Sequence, residues 1–86
     1  MKSIRWNASR MNLAYVLINT DMGSEEKVTN DLNKVEEVKK VYHVYGVYDL
    51  IVRVEAETVE KLKTVLSDSI RTLENVRSTL TMIAVD

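Results

Sequence analysis

Residues 45–54 read YGVYDLIVRV, and the way this stretch is parsed decides the fold. Gly46 is one of only two glycines in the chain and stands at the corner between two apolar runs. From Leu50 onward apolar and polar residues alternate, with Leu50, Val52, Val54 and Ala56 on one face and Asp49, Ile51, Arg53 and Glu55 on the other. A period of two with β-branched residues predicts a strand. The preceding "VKKVYHVYG" supplies a second strand through Val41, Tyr42, Val44 and Tyr45, so the short glycine corner predicts an antiparallel hairpin.

Outward from the hairpin the period changes. "TVEKLKTVLSDSIRTLENV" carries Val59, Leu62, Val65, Leu66, Ile70 and Leu73 at helical spacing, with Thr58 as N-cap. "DMGSEEKVTNDLNKVEEV" carries a narrower stripe, Val28, Leu32 and Val35, with Ser24 as N-cap and Glu25 and Glu26 at the positive end of the helix dipole. At the two ends, "LAYVLINT" (13–20) and "VRSTLTMIAVD" (76–86) read as strands. The first is apolar on both faces, and so central and covered twice.

The order β-α-β-β-α-β, with right-handed crossovers, predicts an α+β, ferredoxin-like βαββαβ fold: a four-stranded antiparallel sheet with two helices on one face. The other face is expected to carry Leu13, Tyr15, Leu17, Ile51, Ile83 and Val85, too apolar to face water. A chain of 86 residues buries only about 60–65% of its unfolded surface. A second copy of the sheet is the simplest cover, giving a face-to-face homodimer, the dimeric α/β-barrel arrangement.

Composition excludes several functions. With 45% hydrophobic and 29% charged residues the chain is globular, and a net charge of −1 offers no basic excess for gripping nucleic acid. There is no cysteine, no apolar run approaching a membrane span and no signal-peptide core, so a soluble, cytoplasmic protein is expected. His43, the only histidine, has no partner at metal-ligand spacing and no nucleophile to activate. Neither a metal, a cofactor nor a catalytic residue is expected.

Asp49, Arg77, Thr79 and Thr81 are expected on the second face or its rim, around the Gly46 corner. An acid, a guanidinium, hydroxyls and a glycine allowing close backbone approach complement a zwitterion, Asp49 meeting an ammonium and Arg77 a carboxylate. Two readings stay open, since Asp49 as hairpin cap and Arg77 as solvated charge fit the same residues. Tyr42, Tyr45 and Tyr48 bracket the corner, as interface residues or as pocket walls.

Three pieces, "AYVLINTD" (14–21), "VYGVYDLIVRVEA" (44–56) and "IRTLENVRSTLTMIAV" (70–85), give the chain from Leu13 to Asp86 a resemblance to the C-terminal effector domain of the leucine-responsive regulatory protein and AsnC (Lrp/AsnC) family, also called the RAM domain. The resemblance divides the chain into an N-terminal arm, 1–12, and a ligand-binding domain, 13–86. It implies a small effector, an amino acid, held between subunits by Gly46, Tyr48, Asp49, Thr79 and Thr81. It also implies assembly through the sheets into dimers and on to tetramers or octamers.

Regulators of the family carry a helix-turn-helix domain, and the twelve residues before Leu13 are too short for three helices. The expectation is a stand-alone sensing module, not an enzyme, without direct DNA binding. It would act through partners, including hetero-oligomers with full-length regulators. A dimeric α/β-barrel enzyme such as a small monooxygenase, and a ligand-free assembly module, are the alternatives.

Overall fold

The structure, a computed structural model, describes residues 11–85. The expected arm, with Trp6, lies outside the described residues but for Met11 and Asn12. The chain runs β1 (Asn12–Thr20), α1 (Glu25–Leu32), β2 (Val38–His43), β3 (Leu50–Ala56), α2 (Val59–Thr64), a π-helical continuation of α2 (Val65–Ile70) and β4 (Val76–Ile83). The sheet order is β2-β3-β1-β4, every pair antiparallel, so the ferredoxin-like βαββαβ fold is the one observed.

β1 and β3 sit in the middle and supply the core. Ala14, Val16 and Ile18 pair with Val54, Val52 and Leu50, and all six are fully buried under the helices. Val28 and Leu32 of α1 and Leu62 and Ile70 of the second helix close over them, also without exposure. Each such aliphatic side chain contributes about 1.5–3 kcal/mol relative to an exposed one.

Apolar residues four apart drift by about 40° per step in an α-helix, because four residues turn the chain by about 400°. Leu62, Leu66 and Ile70 are spaced this way and are all buried. The π-helical turn, closed by Arg71 N donating to Leu66 O at 3.1 Å, takes up the drift and keeps Ile70 over the sheet.

The two predicted caps differ. Thr58 is extended, and its hydroxyl accepts from Lys61 N at 3.0 Å. Ser24 has φ −105° and ψ 7°, outside the extended region from which a cap side chain reaches back, and its hydroxyl makes no cap bond. Only its carbonyl takes part, accepting from Val28 N at 3.0 Å.

The two β-α-β halves repeat each other in backbone geometry, although in sequence only the short segments LNKVEEV (32–38) and IRTLENV (70–76) match. Asp21 N donates to Asn75 O, and Glu55 N to Glu37 O, each at 2.9 Å, tying the end of a central strand to the turn before an edge strand. Both helices leave through the same pair of tight turns, Val35 N to Leu32 O then Val38 N to Val35 O, and Leu73 N to Ile70 O then Val76 N to Leu73 O. Each edge strand is then bulged near its start, at Lys39 and at Arg77.

β4 corrects the expected faces. Thr79, Thr81 and Ile83 lie opposite Ile18, Val16 and Ala14, and so on the helix side, whereas Leu80 and Met82 lie opposite Leu17 and Tyr15. Both alternating sets of β4 contain apolar residues, so alternation alone does not say which set turns inward, and a choice made the wrong way moves every side chain across the sheet. The open face is therefore Leu13, Tyr15, Leu17, Ile51, Leu80, Met82 and Tyr42, not Ile83 or Val85. Leu80 and Met82 are about half exposed on it.

Candidate effector site

The end of the sheet where β1 finishes, β3 begins and β4 enters gathers the polar residues. Asp49 stands just before β3, its N–H donating to Ile18 O at 2.9 Å and its carbonyl accepting from Val44 N at 3.0 Å. Its carboxylate oxygen Oδ2 accepts from Thr20 N at 2.8 Å and from the Thr20 hydroxyl at 3.3 Å. That oxygen thus caps the end of β1 and not the hairpin to which the cap reading assigned it. Oδ1 has no hydrogen-bond partner among the described residues.

Two clefts open on either side of Asp49. The first, about 540 Å³, is lined by Asn19, Thr20, Met22, Glu25, Asp49, Arg77 and Ser78. The second, about 450 Å³, is lined by Glu25, His43, Val44, Tyr45 and Asp49. Both are of a size that suits a small molecule. Glu25, the first residue of α1, lines both and is half-buried.

Arg77 reaches the first cleft because it is the bulged residue of β4: pairing passes from Asn19↔Ser78 to Thr20↔Val76 and leaves Arg77 over. Its Nε lies 4.0 Å from Asp21 Oδ1. Asp21 is in turn fixed by Asn75 Nδ2, which donates to Oδ2 at 3.0 Å from a residue with φ +72°. Asn19 Nδ2 donates to Ser78 Oγ at 3.3 Å on the open side of the sheet. His43 faces the helices, and its Nε2 lies 3.0 Å from the Thr29 hydroxyl.

Of the five residues expected to hold a ligand, the single chain brings only Asp49 into the clefts. Gly46 has φ +136°, and a Cβ added there meets no atom within 4 Å, so its backbone conformation rather than crowding requires glycine. Tyr45 and Val47 beside it are almost fully exposed, while Tyr48 is half-buried. Thr79 and Thr81 are half-buried on the helix side of β4. Sequence reasoning missed Glu25, Asn19, Ser78 and His43 as cleft residues. They come from four separate elements, and only the turn that places Glu25 at a helix start carried a local signal.

Among the described residues no three His, Cys, Asp or Glu side chains group to hold a metal ion, and no helix is long and apolar enough to cross a membrane.

The profile of the Lrp/AsnC ligand binding domain matches residues 13–86. The chain belongs to the Lrp/AsnC family. Solved structures agree with this Lrp/AsnC domain in fold, and two of them also in length. FFRP-DM1 is 40% identical with a TM-score of 0.83, over 86% of this chain and 99% of that one. The hypothetical protein PHS023 from Pyrococcus horikoshii is 40% identical with a TM-score of 0.81, over 86% of this chain and 89% of its own. The transcriptional regulator NMB0573 from Neisseria meningitidis, solved as a complex with L-Met, shares the fold at 11% identity and a TM-score of 0.81, over 95% of this chain and 55% of that regulator. No curated protein matches the chain.

Proposed function

We propose that this Lrp/AsnC domain is an amino-acid-sensing and oligomerisation module that binds an amino acid between subunits and modulates transcription or metabolism through partners. The observation that carries the reading is that Asp49 and Arg77, an acid and a guanidinium, line one open cleft of about 540 Å³. Asp49 Oδ1 receives the α-ammonium while Oδ2 stays on Thr20, and Arg77 receives the α-carboxylate, each as a charge-assisted hydrogen bond. The methionine bound by the Neisseria regulator of the same fold supports an amino acid as the class.

Assembly completes the site. The open sheet face takes a second copy, and the exposed Met22, Tyr45 and Val47 around the clefts are covered when dimers associate into tetramers or octamers. In that assembly Gly46 and Tyr48 border the ligand, and Thr79 and Thr81 reach it from the β4 edge. Full-length regulators present an equivalent sheet, so mixed oligomers are the route by which a module whose sequence has no basic excess acts on DNA. The working compartment is the cytoplasm, and no reaction is catalysed.

A thermal-shift screen of the twenty amino acids tests the reading. A ligand at a hundredfold excess over Kd stabilises the folded assembly by about 2.7 kcal/mol, which raises Tm visibly. If no amino acid shifts Tm, the Asp49 corner serves packing alone and the assembly-only reading replaces this one.

A further inference from the structure

The clefts beside Asp49 hold more negative than positive charge, and the excess narrows the ligand. Glu25 and Asp49 line both clefts, whereas Arg77 lines only the first. Arg77 is moreover 4.0 Å from Asp21, so the guanidinium is already partly compensated. Neither Glu25 nor Asp49 has a salt-bridge partner among the described residues.

A neutral amino acid brings one ammonium and one carboxylate. Asp49 and Arg77 answer those two groups, and Glu25, which has only the α1 dipole for compensation, is left in the second cleft without a charged side-chain partner among the described residues. A half-buried carboxylate in a cleft favours a ligand that neutralises it. Beyond Glu25 the second cleft offers Val44 and the Tyr45 ring, apolar surface for a methylene stem and an aromatic face for a cation. His43 offers no competing negative charge there, and its Nε2 is engaged with Thr29.

We infer that the ligand is a basic amino acid, lysine or arginine, with its side-chain cation on Glu25 in the second cleft and its α-ammonium on Asp49. The inference rests on the amino-acid-binding reading above and specifies the class of ligand. Asp49 and Glu25 line both clefts, and the flexible four-carbon stem of lysine links the group on Asp49 to the cation on Glu25.

Titration calorimetry with lysine, arginine, norleucine and cadaverine tests it. Norleucine is lysine without its side-chain ammonium, and cadaverine is lysine without its carboxylate. Lysine or arginine binds about tenfold or more tighter than norleucine, as expected for a hydrogen bond between charged groups, and cadaverine binds more weakly than lysine. Glu25→Gln shrinks the lysine–norleucine difference to about twofold, and Glu25→Asp restores most of it. Norleucine or another neutral amino acid binding the unaltered chain as tightly as lysine overturns the inference, and that comparison needs no variant to fold. A failure of all twenty amino acids to bind instead overturns the amino-acid reading beneath it.

Discussion

Asp49 and Thr20 close the end of the central strand pair: one carboxylate oxygen accepts the Thr20 N–H at 2.8 Å and its hydroxyl at 3.3 Å, and Thr20 is only 4% exposed. The same residue therefore holds the fold through one carboxylate oxygen and lines two clefts.

That division separates two substitutions. Asp49→Asn keeps an amide oxygen for Thr20, so it folds and loses about 1 kcal/mol or less, while the ammonium partner disappears and amino-acid affinity falls. Asp49→Ala leaves a buried N–H without a partner and costs about 1–3 kcal/mol. Urea unfolding at fixed protomer concentration, alongside calorimetry, distinguishes them. Equal stability of the two variants shows that the Thr20 contact contributes nothing.

The helix starts give a second contrast. Thr58→Ala removes a bonded cap and destabilises by about 1 kcal/mol. Ser24→Ala removes a hydroxyl that caps nothing, and its stability stays within about 0.5 kcal/mol of the parent. Denaturant midpoints measure both, and a loss at Ser24 as large as at Thr58 contradicts the described geometry.

These caps also show what could be read in advance. Thr58 and Ser24 look alike as letters, and the difference lies in backbone angles that the Gly23 turn imposes, with φ +78° at Gly23. β3 was legible because apolar and polar residues alternate along it, and β1 because a short β-branched run apolar on both faces reads as a central strand. β4 was not, because Leu80 and Met82 are as apolar as Ile83, and only pairing with β1 assigns their faces. The internal repeat is carried by backbone bonds at Asp21 and Glu55, and in the letters it survives only as the short pair LNKVEEV (32–38) and IRTLENV (70–76). Asp49 was legible as a corner acid from its place after the glycine, and the structure puts it in the lining of both clefts. Glu25 was not, since its approach to Asp49 is a tertiary event between α1 and β3.

Lys27 joins α1 to the turn before β4, its Nζ lying 3.2 Å from Glu74 Oε1 and 3.2 Å from Asp31 Oδ2. Glu74 first, and then Asp31, raise its pKa above the ordinary 10.5 by hydrogen bonding to the charged form. A raised folded-state value means that the contribution is fully present below the unfolded-state pKa. It is lost as pH climbs through the folded one. Glu74→Gln lowers the Lys27 pKa toward its ordinary value in an NMR titration above pH 9. An unchanged titration shows that the contact is not formed in solution.

The open face supplies the last test, because the register of β4 and the proposed dimer contact make one joint statement. Leu80 and Met82 share that face with Leu17 and Tyr15, while Ile83 lies on the helix side, opposite Ala14. All three β4 residues are 41–51% exposed in the single chain, so a charge at any of them is tolerated by the fold itself. Under a sheet-to-sheet contact Leu80→Glu places a carboxylate in each half of a desolvated interface and also forfeits the burial of two leucines. Its dissociation constant rises by at least about a hundredfold, equivalent to about 2.8 kcal/mol. Ile83→Glu, outside that contact, leaves self-association within about threefold of the parent. Sedimentation equilibrium across the micromolar range measures both. If Ile83→Glu dissociates the protein and Leu80→Glu does not, the contact lies on the other side of β4, and a parent chain that is monomeric throughout removes the sheet-to-sheet dimer altogether.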